Sequence, residues 1–427
     1  MIERMDMIMA PDIESESQCG VVTDDLRQEW SEWIKPFLRG LSLGLFLLTC
    51  LARTTTAATP PKWQRHAFPL PEGIWSVEAL DATGDGRLDL IAMGETKIFT
   101  LVAPDWDQRV LADFHDGKML YCVAWDADGD GDMDLAVGRY RVPWIEYRQA
   151  RAENKTFAEP KGPEFSLAWI ENPGMTGAAW PVHVLDRELN GIHGLSVGDL
   201  NRDGRPDLVA DSIMGPSFQN SLVWFQAPMR GRGQIERHVI TRGGADGRPH
   251  YLDVADLDGD GRNEVLLGDS QGGTFTWWQQ NADGVGPWRK SRIASVPGAT
   301  NIRAARVNRD GVLDVVGSCG HGKGVFWFAG PTWESHVIDL DFATPHALAV
   351  GDFDGDGDVD VAAASYSAFV VRWYENDGNG SFVLHEIESS HQQQAYDMKT
   401  VDLNADGRVD LILAGRESRN AVWYENK

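Results

Sequence analysis

The stretch Asp126–Asp134 reads DADGDGDMD, and six variants of it recur along the chain. They are DATGDGRLD (Asp81–Asp89), DLNRDGRPD (Asp199–Asp207), DLDGDGRNE (Asp256–Glu264), RVNRDGVLD (Arg306–Asp314), DFDGDGDVD (Asp352–Asp360) and DLNADGRVD (Asp402–Asp410). Successive copies start 45, 73, 57, 50, 46 and 50 residues apart. A self-similar period of this length marks a repeat architecture in which each unit is one supersecondary element.

Around each nonapeptide the chain alternates in the manner of strands. Segments such as LSVGD or LAVGD precede it, and VLLGD or VAAAS follow it. A third strand comes next, as in LAWIENP, LVWFQAP, FTWWQQN, VFWFAGP, VRWYEND and AVWYENK, with Trp169, Trp224, Trp277, Trp327, Trp373 and Trp423 in register. A fourth follows a W-x-x-H-x-I pattern, in whole or in part, from WQRHAF at Trp63 to FVLHEI at Phe382. Four strands per unit and seven units predict an all-β, seven-bladed β-propeller. The first repeated element, Trp63–Phe68, is an orphan fourth strand, whereas the last unit stops after its third, at Lys427. Pairing the two completes the last blade from both ends of the chain and leaves no open edge.

The nonapeptide places acidic or amide side chains at positions 1, 3, 5 and 9 around a Gly at position 6, a set of hard oxygens suited to calcium. Solvated acidic turns would use the same residue types. Four carboxylates within nine residues, however, repel one another unless a cation is present. The expected ligands are Asp81, Thr83, Asp85 and Asp89 in the first loop, and Asp126, Asp128, Asp130 and Asp134 in the second. The third offers Asp199, Asn201, Asp203 and Asp207, and the fourth Asp256, Asp258, Asp260 and Glu264. The sixth offers Asp352, Asp354, Asp356 and Asp360, and the seventh Asp402, Asn404, Asp406 and Asp410. In the fifth, Arg306 stands at position 1, where its guanidinium is expected to neutralise Asp310 and Asp314 in place of a metal. These repeats resemble the FG-GAP or VCBS family of integrin-type propellers and many exported bacterial proteins, over about residues 63–427. The resemblance implies a calcium ion in each intact loop, hence about six sites with the first weaker.

His193, His250 and His346 each stand six residues before position 1 of a loop, where the chain enters an innermost strand. Trp75, Leu120, Thr300 and Tyr396 hold that place in the other blades, so the repeat does not demand histidine there. His321, in SCGHGKG, is expected on the same face, opposite the calcium loops. Blades three to six would then each send one imidazole to the channel mouth, where Asp211, Asp269, Arg303, Lys323, Tyr366, Lys399 and Arg416 could join them. His193, His250, His321, His346 and Tyr396 are thus the candidate ligand-binding residues, and an additional divalent metal could sit among them. A blander role, strand-entry packing, uses the same residues. The fourth-strand histidines (His66, His183, His238, His336, His385) and the recurring tryptophans read as blade packing. A long insertion in blade two, Arg139–Ser166, could fold over the mouth.

Residues 1–58 form an acidic leader with a short apolar run, Leu41–Ala52, behind Lys35 and Arg39. Its length fits the apolar region of a secretory signal and falls short of a membrane span. The propeller, 59–427, is therefore expected outside the cytoplasm as a monomer with no stable membrane span. An uncleaved anchor, a start codon assigned too far upstream, or a buried helix of a cytosolic protein would also account for the leader. Cys19, Cys50, Cys122 and Cys319 are too few and scattered for a disulfide framework.

The net charge of -25 argues against nucleic acid as a partner. Outside 1–58 the chain has 55 acidic and 34 basic side chains, and 23 of the acids occupy loop positions 1, 3, 5 and 9. The remainder is nearly balanced, so the acidity belongs to the loops. No nucleotide loop, HExxH or zinc spacing is present, and the GxSxG matches at Gly40–Gly44 and Gly194–Gly198 do not read as the strand-to-helix elbow that a nucleophilic serine needs. Two functions remain: a module binding carbohydrate or an extracellular protein, and a carbohydrate-active lyase or dehydratase similar to the aldos-2-ulose dehydratases and certain polysaccharide lyases. A cupin-like companion domain, part of the closest such analogy, is missing from the sequence.

Overall fold

The computed structural model describes residues 61–115, 118–140, 165–174, 179–213, 220–228, 233–281, 287–389 and 392–427. The leader and most of the blade-two insertion lie outside them. The described residues form an all-β, seven-bladed propeller, and among them no helix is long and apolar enough to cross a membrane.

Each blade is a four-stranded antiparallel sheet. The innermost strands are β2 (Ser76–Leu80), β6 (Lys118–Trp125), β10 (Leu195–Gly198), β14 (Pro249–Ala255), β18 (Asn301–Ala305), β22 (Pro345–Gly351) and β26 (Asp397–Val401). Every nonapeptide joins an innermost strand to the second strand of its blade. The seventh blade has the order β1-β28-β27-β26, with β1 (Trp63–Pro69) antiparallel to β28 (Asn420–Asn426) in unbroken register from Trp63 opposite Asn426 to Pro69 opposite Asn420. The circular closure read from the offset repeats is thus present.

The second strands, such as β3 (Asp89–Met93) and β23 (Asp360–Ser365), are buried on both faces, because each lies between the sheets of two neighbouring blades. Their buried side chains form seven apolar clusters, one per blade interface. The cluster across the closure joins Ile74, Leu90 and Phe99 of blade one to Ile412, Ala421 and Trp423 of blade seven. The core is therefore a ring of wedges around a channel, and the channel and its loops are left for polar chemistry.

On the outer side, five third-strand tryptophans stack on the fourth-strand histidine directly opposite. His66 on Trp423, His183 on Trp169, His238 on Trp224, His336 on Trp327 and His385 on Trp373 have ring centroids 4.2–4.5 Å apart. Nε2 of His66, His183 and His385 pairs with Glu425, Glu171 and Glu375 at 2.6–2.8 Å. These histidines hold the outer strands down and lie away from the channel mouth. Cys122 and Cys319 are free and buried.

Candidate functional site

The acidic loops share one geometry. Position 6 is glycine at φ between 82° and 98° in all seven, a left-handed turn that a side chain would strain. Position 1 folds back over this turn: Asp81, Asp199, Asp256, Asp352 and Asp402 each accept the position-6 amide through Oδ2 at 2.7–3.0 Å. Position 9 is buried and ties the loop to the blade. Asp360 accepts the amides of Phe353 at 3.0 Å and Asn376 at 2.8 Å, and Asp134 and Asp410 are held in the same way. A metal at these loops would share position 9 with the backbone, a role for the residue that spacing alone did not reveal.

The donor set suits a hard cation. Oxygens of Asp126, Asp128 and Asp134 approach within 4.8 Å of one another, as do those of Asp256, Asp258 and Asp260 and of Asp352, Asp354 and Asp356. In the fourth loop Asp256 Oδ1 and Glu264 Oε1 are buried with no hydrogen-bond partner, an arrangement that costs about 1–3 kcal/mol per atom without a ligand. Burial, with neighbouring carboxylates adding, pushes Asp134, Asp207 and Glu264 up to about 7 and Asp360 to about 8. In the fifth loop Arg306 does not pair with Asp310 or Asp314. Its guanidinium instead donates to the Gly311 carbonyl, while Asp314 is held by the amides of Val307 and Gly330. The neighbouring Arg309 crosses to Asp358 of the sixth loop, Nη2 to Oδ2 2.7 Å.

At the opposite end of the channel, four imidazoles meet. His250 and His346 lie in β14 and β22, His193 two residues before β10, and His321 in the turn between β19 (Asp314–Ser318) and β20 (Lys323–Ala329). His250 is the hub, with ring centroids 4.4 Å from His193, 4.9 Å from His346 and 5.1 Å from His321. Register shifts at the entrances of β14 and β22 release these residues from strict alternation, which lets His250 and the adjacent Tyr251 both reach the cluster. Tyr396 packs on His346 at 4.4 Å, and Tyr140 Oη lies 3.0 Å from His193 Nε2. Arg248 Nη2 donates to the same His193 nitrogen at 3.2 Å.

The nitrogen inventory is informative. His346 Nδ1 donates to the Tyr396 carbonyl at 2.8 Å, so Nε2 carries the lone pair, and this buried atom has no partner among the described residues. Nε2 of His250 and His321 face each other at 3.2 Å. One nitrogen from each of the three residues lies within 4.8 Å of the others. A tetrahedral zinc with bonds of ~2.0–2.1 Å has N···N edges of roughly 3.3 Å, a spacing that His250 and His321 already have, with the third nitrogen, from His346, within 4.8 Å of both. Burial holds His193, His250 and His346 neutral and ligand-competent, His346 falling to about 3 and the other two well below the usual range. His321, exposed at the mouth, falls to about 4 through the desolvation of its ring and the Arg248 charge.

Other residues expected at this face are divided. Asp211 Oδ1 accepts the His193 amide at 2.9 Å, and Asp269 accepts the amides of Gly247, Arg248 and Gly272, each at 2.7 Å, shaping the loop that carries Arg248. Arg416 Nη2 donates to Tyr366 Oη at 2.7 Å, and Tyr366 flanks His346 at 5.8 Å. Lys323 is exposed at the start of β20. Arg303 and Lys399 are not at the histidine face; they line the channel nearer the acidic loops, because each sits only three residues ahead of its loop. Arg248, Tyr140 and Tyr251 were not anticipated, and proximity to His250 in the chain was the one available signal for Arg248 and Tyr251.

A family model described as an FG-GAP-like repeat matches residues 126–210, 256–317 and 352–413. A search of curated proteins finds no match. Among solved structures, virginiamycin B lyase from Staphylococcus aureus aligns at 12% identity with TM-score 0.55, covering 86% of this chain and 100% of its own. A structure of BBS1N in complex with ARL6DN aligns at 13% identity with TM-score 0.55, covering 86% and 98%. At such identities both likenesses concern the fold.

Proposed function

Because the chain belongs to the FG-GAP-like repeat family, we propose that it is a calcium-loaded propeller acting outside the cytoplasm, and that it binds carbohydrate at its histidine face with the help of a divalent transition metal. The observation that carries this reading is the buried Nε2 of His346, without a partner among the described residues, beside the facing nitrogens of His250 and His321. His250, His321 and His346 would hold the metal. Acidic loops at the far end would hold calcium and stiffen the ring. Tyr366 supplies a half-buried ring of the kind on which sugar faces stack, backed by the buried Tyr396, while Arg248 and Arg416 supply donors for hydroxyl and carboxylate oxygens.

Metal analysis and a glycan array on the full chain test this. The expected result is calcium plus one equivalent of zinc-type metal, with His346→Ala losing that equivalent and the glycan signal while keeping calcium. Calcium alone, together with unchanged glycan binding in His346→Ala, overturns the reading.

Elimination chemistry is the second reading, and one pair favours it. The Arg416 guanidinium donates to Tyr366 Oη, which fixes that oxygen beside the histidine face, where it could exchange a proton with a bound sugar acid or ketose. A metal on the three histidines would supply polarisation of the carbonyl or carboxylate next to that proton. An unsaturated product absorbing in the ultraviolet, formed from uronate polymers or oxidised sugars and lost in Tyr366→Phe, is the expected sign.

A further inference from the structure

The channel holds a second compartment. Tyr121 and Tyr251 meet across it with ring centroids 5.4 Å apart, and Tyr251 Oη is anchored on the Tyr396 carbonyl at 2.7 Å. On the acidic-loop side of this pair lies a cavity of about 270 Å³. Its girdle is one register position, three residues before each loop: Glu78, Val123, Ser196, Asp253, Arg303, Ala349 and Lys399, one per blade.

The hydrogen-bonding capacity of this girdle is lopsided. Its carboxylates are spent. Glu78 accepts the amides of Ala79 and Ala124 and the Lys399 ammonium. Asp253 accepts Val254 and Ala304 at 2.9 and 2.8 Å, and the deeper Asp397 accepts Ser76 Oγ at 2.7 Å and the amides of Val77 and Met398. The donors are not. Arg303 commits Nη1 alone, to the carbonyls of Leu252 and Ile302, and no partner among the described residues takes its Nε or Nη2. Lys399 uses two of its three protons, on Glu78 and the Cys122 carbonyl, and Ser196 Oγ has no partner among the described residues. Arg303 and Lys399 stand on blades five and seven with only the Ala349 methyl between them on blade six, a gap between two cations.

We propose that this girdle is a binding site for a small oxyanion, of carboxylate or sulfate type, gripped by Arg303 and Lys399 and opening toward the acidic loops. Nε and Nη2 of Arg303 form a fork able to take two oxygens of a carboxylate or of a sulfate, and the Lys399 ammonium adds a point charge beside it. The site is separate from the histidine face and does not rest on its metal or sugar.

Calorimetric titration of the full chain with malonate and with sulfate, against sodium chloride at matched ionic strength, tests it. Saturable one-site binding of malonate or sulfate is expected. Arg303→Gln weakens it at least tenfold, and Ser196→Trp fills the cavity and abolishes it. Near-ultraviolet circular dichroism confirms that each variant is folded, and if Arg303→Gln does not fold, Ser196→Trp decides. Preference for sulfate or for malonate identifies the source of the oxyanion. Heats no larger than those of chloride, or affinity retained in a folded Arg303→Gln or Ser196→Trp protein, overturn the proposal.

Discussion

At the residue scale the buried imidazoles carry a pH signature. His193, His250 and His346 are charged poorly in the fold because burial, with the Arg248 guanidinium or neighbouring imidazoles, opposes a proton there. In the unfolded chain they take protons near 6.5. The unfolded state therefore binds more protons once the pH drops below about 6.5, and metal-free protein loses stability progressively as the pH falls toward 3. Each imidazole kept neutral contributes up to about 1.4 kcal/mol per pH unit in that window. Melting temperatures of chelator-treated protein from pH 7.5 to 5 should show this slope, and His346→Gln should reduce it. Cys122 and Cys319, both pushed up to about 12 by burial, should resist Ellman's reagent at pH 8 until the fold is denatured, when the titratable thiol count rises by two.

At the element scale, the two ends of each loop do different work. Position 9 binds two backbone amides in addition to any metal, so Asp360→Ala should cost about 2–4 kcal/mol and lower the melting temperature even in EGTA. Position 5 faces outward and accepts a single amide, that of Asp358 at 2.8 Å, so Asp356→Ala should lower the melting temperature mainly where calcium is present. Equal losses for the two variants in EGTA would contradict this division. Much of the element plan was legible: loop positions, strand order and the alignment of the Trp and His positions all follow from a repeat of regular spacing. The histidine face was legible as four residues at one register position or one loop. Their convergence depended on shifts at the strand entrances, however, and those break the alternation on which such reading rests. Arg303 and Lys399 were assigned to the wrong end because distance along a strand, about 3.3 Å per residue, decides the chamber a side chain enters.

At the scale of the whole molecule the apolar core is divided among seven interfaces, so no single blade holds a core of its own. Stability should therefore depend on closure. Deleting Trp63–Pro69 exposes the edge of β28 and unseats the wedge of Ile74, Leu90 and Trp423. The expected outcome is a lower melting temperature with a broadened transition and concentration-dependent association, read by calorimetry and light scattering. A transition as sharp and as high as that of the intact chain would show that blade seven needs only three strands.

The closing strand also sets a timetable. His66 of β1 and its partner Glu425 are 359 positions apart, so a ribosome working at 5–20 residues per second needs roughly 20–70 s between them. For that interval β1 exists without β28, an unpaired apolar and basic strand at the head of a growing row of blades. Synthesis of this propeller is thus a race between the arrival of β28 and the capture of β1 by something else, and slowing translation of the stretch just ahead of β28 should reduce the yield of folded rings.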